Sequence, residues 1–405
     1  MLKIAGISVL VLLVIIVVAG VTFRQQIGRA LYQGSLFSGA EQAKNFVRQA
    51  DYYPVNRMTA SDAPIPFPQG DALVLAETFS FKDENLSVED FLTETDTVAL
   101  LVLKDGKLVY ENYWQTGGKD VQWLSHSVSK SFVSAAVGLA LRDGLIKSLE
   151  EPISNYVPML KDSGYNGVRI KDVLQMSSGV RWTEKYSSGT SDINRFGWTM
   201  MKGASYDEFV TTIVAETPPG TQTSYTGMDT QALTMLIRSV TGKSLAAYLQ
   251  EELWQPLGME FEAFWTTDNS GVELGLGGLN ATARDFAKLG ELYRLDGAWH
   301  GNQILPADWV AASTTPDAPY LQRGANKVST HGMGYGYQWW LPKGDDQDFS
   351  AIGIYNQFIY VNPEENTVIV KLSANRNYAQ NSDPSSYREV DTFALFREIA
   401  RNRQQ

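Results

Sequence analysis

The sequence predicts an α+β fold. An antiparallel sheet is built from both chain ends and flanked by helices, with a mostly helical insertion between its halves and an N-terminal transmembrane helix in front. Three observations predict it. Strand-like runs cluster at Thr97–Trp114 and again at Phe349–Ala374, with a long helical middle between them; strands grouped in this way, rather than alternating with helices, point away from a parallel βαβ sheet. Asp105-Gly106 stands between two apolar runs, a strong hairpin signal. Ile4 to Phe23, twenty residues, carries no charge.

At about 1.5 Å per residue a helix of that length matches a bilayer core of roughly 30 Å. Residues 1–23 therefore read as an uncleaved anchor. A signal peptide is the competing reading, but its apolar region runs to about 7–15 residues before a small-residue cleavage site. Val17-Val18-Ala19-Gly20 matches such a site poorly. A buried core helix is a third reading, although few are so apolar all round. Lys3 precedes the run and Arg24 and Arg29 follow it, so the positive-inside rule does not set its orientation.

Residues 24–70 read as connector and linker. They are polar and partly helical to about residue 60, then extended through SDAPIPFPQG, which holds three of the fifteen prolines. Compact structure is expected from Asp71 to residue 405. The helix after Ser127 should stop near Arg142-Asp143-Gly144, glycine being the usual stop. Further helices are expected at Ile170–Met176, Ser205–Glu216, Asp229–Thr241, Leu245–Trp254, Ala283–Asp296 and Pro306–Ser313. Phe349–Asn362 and Asn366–Ala374 read as two strands around the turn Asn362–Asn366, and Tyr387–Arg401 as a closing helix.

Composition removes several function classes. The chain carries a net charge of −11 and no long basic run, which argues against nucleic acid as a partner. It has no cysteine, so a thiolate metal site and a disulfide framework are impossible. With three histidines, a His-rich metal site is not expected either, and no cofactor is called for. There is no P-loop, Gly-x-Gly-x-x-Gly or Gly-x-Ser-x-Gly. Thr241-Gly242-Lys243-Ser244 lacks the upstream glycine of a P-loop and reads as a turn between helices.

Chemistry is concentrated in three places. Ser127-Val128-Ser129-Lys130 opens an apolar helix and puts an amine one helical turn from a hydroxyl, on the same face. Serine is a weak nucleophile until a neighbour takes its proton, and a lysine can do so when burial or positive potential lowers its pKa. The competing reading is that Ser125, Ser127 or Ser129 merely caps the helix. His126 and His331 read as hydrogen-bonded structural histidines. Tyr225, in the turn-rich loop Pro218–Asp229, could carry a proton beside this pair, or simply pack. Gly353 in Phe349–Gln357 suggests a close approach, where the N–H of Ile354 could join that of Ser127 in an oxyanion hole; an ordinary core strand is the alternative.

Taken in order, these features resemble the β-lactamase/penicillin-recognising serine hydrolases. The likeness is to their class C-like branch of esterases, D-amino-acid peptidases and 6-aminohexanoate-dimer hydrolases. It covers roughly residues 95–400, and Leu174–Val180 and Tyr335–Trp340 support it. The resemblance implies Ser127 as the acylated nucleophile, Lys130 as its base and Tyr225 as proton donor to the leaving group. The N–H groups of Ser127 and Ile354 would form the oxyanion hole, with Tyr355 and Trp340 lining the substrate site beside Gly353. It also implies a bacterial envelope protein with its catalytic domain on the periplasmic or outer face; with the uncharged run Ile4–Phe23, the expectation is a single-pass inner-membrane protein whose catalytic domain is periplasmic.

Two departures bear on the substrate. The usual Tyr-x-Asn is Tyr225-Thr226-Gly227, and the usual Lys-Thr-Gly or His-x-Gly is Ala351-Ile352-Gly353. The cation that pairs with a substrate carboxylate is missing, so the expected substrate is an uncharged small-molecule ester or amide. Trp182, Tyr186, Phe196, Trp198, Trp339, Trp340 and Tyr355 are candidates to line an apolar subsite. One rival is a D,D-peptidase or weak β-lactamase using Arg323, Lys327 or Arg376 as the replacement cation. The other is an inactive envelope binding module of the same fold.

Overall fold

The computed structural model describes residues 23–37, 39–185, 188–325, 332–378 and 384–402. All but the last residue of the apolar run Ile4–Phe23 lies outside these, as do Tyr186, Lys327 and His331. Among the described residues no helix is long and apolar enough to cross a membrane.

The elements used below are helices α1 (Arg24–Leu36), α2 (Ser129–Arg142), α3 (Asp192–Lys202), α4 (Gly227–Thr241), α5 (Ala283–Arg294) and α6 (Glu389–Arg401). The strands are β1 (Val55–Met58), β2 (Thr97–Lys104), β3 (Lys107–Tyr113), β4 (Trp123–Leu124), β5 (Ala263–Thr266) and β6 (Leu279–Ala281). They continue with β7 (Gly334–Tyr335), β8 (Trp340–Leu341), β9 (Phe349–Gly353), β10 (Gln357–Asn362) and β11 (Thr367–Ser373).

A seven-stranded antiparallel sheet runs β7-β8-β9-β10-β11-β2-β3. Strands from the two chain ends meet where β11 pairs with β2. The β2–β3 turn places Asp105 and Gly106 at φ 50° and 73°, the left-handed pair that a tight hairpin needs. Because β2 is buried on both faces, its side chains divide by parity. Leu101 and Leu103 join the core shared with α2 and α5; Leu100 and Val102 join the one under α6, with Phe393, Phe396 and Ile399. A smaller sheet, β1-β5-β6-β4, ends beside the start of α2.

Two expectations change. Phe349–Asn362 is not one strand: it is a hairpin, β9–β10, with Gly353 opposite Gln357 and a three-residue turn at 354–356. Tyr355 and Asn356 both sit at φ 64° in that turn, a conformation no apolar-run pattern announces. The stretch read as connector and linker also packs on the domain. β1 pairs with β5, and Arg29, Gln42, Asn45 and Gln49 are buried.

Candidate active site

Ser127 lies in a single 3₁₀ turn, His126–Val128, that feeds directly into α2. None of the three local serines caps the helix. Ser125 Oγ donates to the His126 carbonyl and Ser129 Oγ to that of Gly275, 3.1 and 2.9 Å away. His126 holds φ at 46°, an unfavourable value for a side chain that tightens the turn. Its ring is packed edge-on against Phe46 at 4.8 Å and near Tyr355 at 5.6 Å. Burial first, and then Lys130, bring its pKa down to about 3, so it is a neutral ring.

Lys130 is 1% exposed. Its Nζ lies 3.1 Å from Ser127 Oγ and donates to the Leu276 carbonyl at 2.6 Å. Burial brings its pKa from an ordinary 10.5 down to about 8, while Glu184 opposes the fall. The same ammonium lies 5.3 Å from the centre of the Tyr225 ring. Burial, and after it the charge of Glu184, hold the Tyr225 phenol far above its ordinary pKa, while Ser127 acts on it in the direction that lowers its pKa. Tyr225 is stacked on Trp340 with ring centres 5.2 Å apart.

Strand β9 packs against the His126–Val128 turn, and the β9–β10 turn brings Ile354 toward the nucleophile. A Cβ at Gly353 would fall 2.5 Å from the Ser125 carbonyl, so only glycine lets the strand end approach this closely. Among the described residues, neither the Ser127 N–H nor the Ile354 N–H has a hydrogen-bond partner. Gln357 fixes the turn. Its Nε2 donates to the carbonyls of Ile354, Tyr355 and Ser373, and its Oε1 accepts from Trp123 Nε1 and the Ser373 N–H.

Sequence reasoning missed Glu184, Leu276, Gln357 and Phe37. Glu184 Oε2 accepts from Trp182 Nε1 at 2.8 Å and from the Gly227 N–H at 2.9 Å. A Cβ on Gly227 would lie 3.3 Å from that oxygen, so the carboxylate borders the space left by the absent Asn. Phe37 stacks on Tyr355 with ring centres 5.6 Å apart. The one available signal was the glycine-rich run Gly275-Leu276-Gly277-Gly278, which marks a backbone able to approach Lys130.

Not every aromatic expected at the site is there. Trp339 is fully buried against Tyr293 and Phe349, and Phe196 is buried against Tyr206 and Phe209. Ala351 is packed in the main core. Arg376 grips Asp96 with its backbone N–H, Nε and Nη2. Arg323 bonds the carbonyls of Pro342 and Asp348. A cleft of about 650 Å³ lies elsewhere, lined by Gln69, Lys104, Lys107 and Glu364 among others, and contains none of the active-site residues just described.

The family model for Beta-lactamase matches residues 88–392, well over half of the chain. The chain belongs to the beta-lactamase family. This beta-lactamase-family protein is a serine hydrolase of the class C-like branch. It is 29% identical over 358 residues to the 6-aminohexanoate-dimer hydrolase of Paenarthrobacter ureafaciens, covering 86% of this chain and 90% of that one. A solved Bacillus anthracis protein shares the fold at a TM-score of 0.79 and 23% identity, over 90% of this chain and 95% of its own. EstCE1, a hydrolase with promiscuous acyltransferase activity, shares it at a TM-score of 0.60 and 16% identity, over 76% and 96%.

Proposed function

We propose that this protein hydrolyses an uncharged small-molecule ester or amide through an acyl-enzyme on Ser127. The contact between Lys130 Nζ and Ser127 Oγ, 3.1 Å in a buried setting, carries the reading. The environments of Lys130 and Tyr225 separate their roles. Lys130, near 8, can be neutral and take the Ser127 proton, whereas Tyr225 stays a phenol and can only donate. Ser127 Oγ bonds to the substrate carbonyl carbon as its proton passes to Lys130 Nζ. The resulting oxyanion is held by the N–H groups of Ser127 and Ile354. As the C–O or C–N bond breaks, the leaving oxygen or nitrogen takes a proton from Tyr225, which recovers one from Lys130. Water then repeats the sequence to free the acyl group.

Gly353, Tyr355 and Trp340 border this site, and the ion pairing of Arg323 with Asp348 and of Arg376 with Asp96 supports the uncharged substrate over a D,D-peptidase or β-lactamase reading. The name of the Paenarthrobacter relative favours an amide bond as the one cleaved, although a 6-aminohexanoate dimer itself carries a terminal carboxylate and a terminal amine. We place the domain at the bacterial inner membrane, held by the uncharged run Ile4–Phe23 and facing the periplasm. Intact-mass labelling with an activated fluorophosphonate tests the nucleophile. One adduct is expected on the parent and none on Ser127→Ala. A folded parent that takes no adduct would favour the inactive binding module.

Glu184 offers a second test. The groups facing Lys130 are Glu184, the neutral His126 and the Tyr225 ring, so the carboxylate is the one formal charge among them. Glu184→Gln keeps an oxygen for Trp182 and Gly227 and removes that charge. Its acylation rate, plotted against pH, should show its acidic limb at lower pH than the parent. An unmoved limb would remove Glu184 from control of the lysine.

A further inference from the structure

Helix α1 is apolar on the wrong side. Its inner face is set by Arg29, Tyr32 and Leu36, which are buried on the domain. Phe23, Ile27 and Leu31 are spaced by four and form a second stripe on the opposite side. They are 53%, 49% and 71% exposed. A helix that packs by one face ordinarily turns polar residues outward. An uninterrupted exposed apolar row marks a binding surface. Helix α3 packs beside α1 and carries Trp198, 58% exposed, the residue type that collects at membrane–water boundaries.

What lies against the stripe is indicated by the chain leading into it. The stripe begins at Phe23, the last residue of the uncharged run that starts at Ile4. We propose that the outer face of α1, with Trp198, rests in the headgroup–acyl boundary of a lipid bilayer as an interfacial helix. This rests on the anchor reading above and extends it. An interfacial helix sinks its apolar face about 5–10 Å past the headgroups, which Phe23, Ile27 and Leu31 suit. The surface also reaches the active site, because Phe37, at the end of α1, stacks on Tyr355. The rim of the site is thereby tied to the membrane surface, and substrates that partition into that boundary would reach it most readily.

The absence of cysteine makes the test direct. The full chain is reconstituted in phosphatidylcholine–phosphatidylglycerol vesicles with one environment-sensitive label per protein. Labels are placed at Ile16→Cys, Ile27→Cys, Leu31→Cys, Trp198→Cys and Asp162→Cys, and brominated acyl chains serve as quencher. The expected result is blue-shifted, quenched emission at positions 16, 27, 31 and 198, and neither change at 162. Quenching at 16 alone would retain the anchor and overturn the interfacial helix. No quenching at 16, with protein left in the aqueous phase, would overturn the anchor and this proposal together. A blue shift at 27 and 31 without quenching, growing with protein density, would assign the stripe to a second copy of the chain and overturn the lipid assignment.

Discussion

Replacing Lys130 by methionine should abolish most acylation and, at neutral pH, raise the stability of the fold. Methionine fills most of the same volume without a base, so the rate lost is that of proton removal from Ser127, about 10²- to 10⁴-fold for a positioned base. The stability gain follows from burial. Lys130 titrates at about 8 in the folded protein against an ordinary 10.5. Below about 8 both folded and unfolded chains carry the proton, and the folded one holds an ammonium in a desolvated site. Between about 8 and 10.5 the unfolded chain binds the extra proton, so parent stability rises with pH across that window. The cost of the buried ammonium at pH 7 is on the order of 3 kcal/mol.

Denaturation of parent and Lys130→Met from pH 7 to pH 10 checks this, with the variant's advantage shrinking as pH rises. The parent's acylation rate should climb through about pH 8 as the lysine becomes neutral. A parent rate that is flat across this range would contradict Lys130 as base. A variant no more stable than the parent at pH 7 would contradict the burial argument while leaving the kinetics intact.

The same residue shows why part of this site was legible in the sequence. Ser127 and Lys130 are three residues apart, so helix geometry alone brings them together. The Asp105-Gly106 hairpin and α2 were legible for the same reason, since each is fixed by neighbours in the chain. Gln357 and Glu184 were not. Gln357 matters because β10 carries it beneath the Ile354 turn, and Glu184 because its loop meets the start of α4. No spacing rule links such positions.

The N-terminal stretch was hidden differently. Its buried contacts mix polar and apolar: Gln42 donates to the Ala374 carbonyl, Tyr32 to that of Asn45, and Arg29 to Asn269, while Phe46, Tyr53 and Met58 join the main core. Buried apolar residues interleaved with buried amides and a guanidinium give no clear apolar period, so the segment reads as connector. The β9–β10 turn was missed because Tyr355 and Asn356 take left-handed conformations, with no glycine or proline within the turn itself.

Gly353→Ala should lower kcat by about 10²- to 10³-fold, the usual cost of losing one oxyanion donor, with little change in KM. The added methyl would stand 2.5 Å from the Ser125 carbonyl and 3.1 Å from Gln357 Cβ, and the first contact is with backbone that cannot rotate away. Strand β9 and the His126–Val128 turn must therefore separate. The Ser127 N–H belongs to one wall and the Ile354 N–H to the other, so the distance between the two donors grows. A neutral ground-state carbonyl gains little from those donors, whereas the developing oxyanion depends on them, which is why kcat and not KM should respond. Overpacking of this kind also costs about 1–3 kcal/mol of stability, which a second variant separates from the kinetic effect. Gly290→Ala places its methyl 2.7 Å from Val368 Cγ1 and 2.8 Å from Ile359 Cγ2, in the core between α5 and the sheet. It should lose comparable stability and keep its kcat. Equal kcat losses in the two variants would mean that general loosening, rather than separation of the oxyanion donors, accounts for the effect at Gly353.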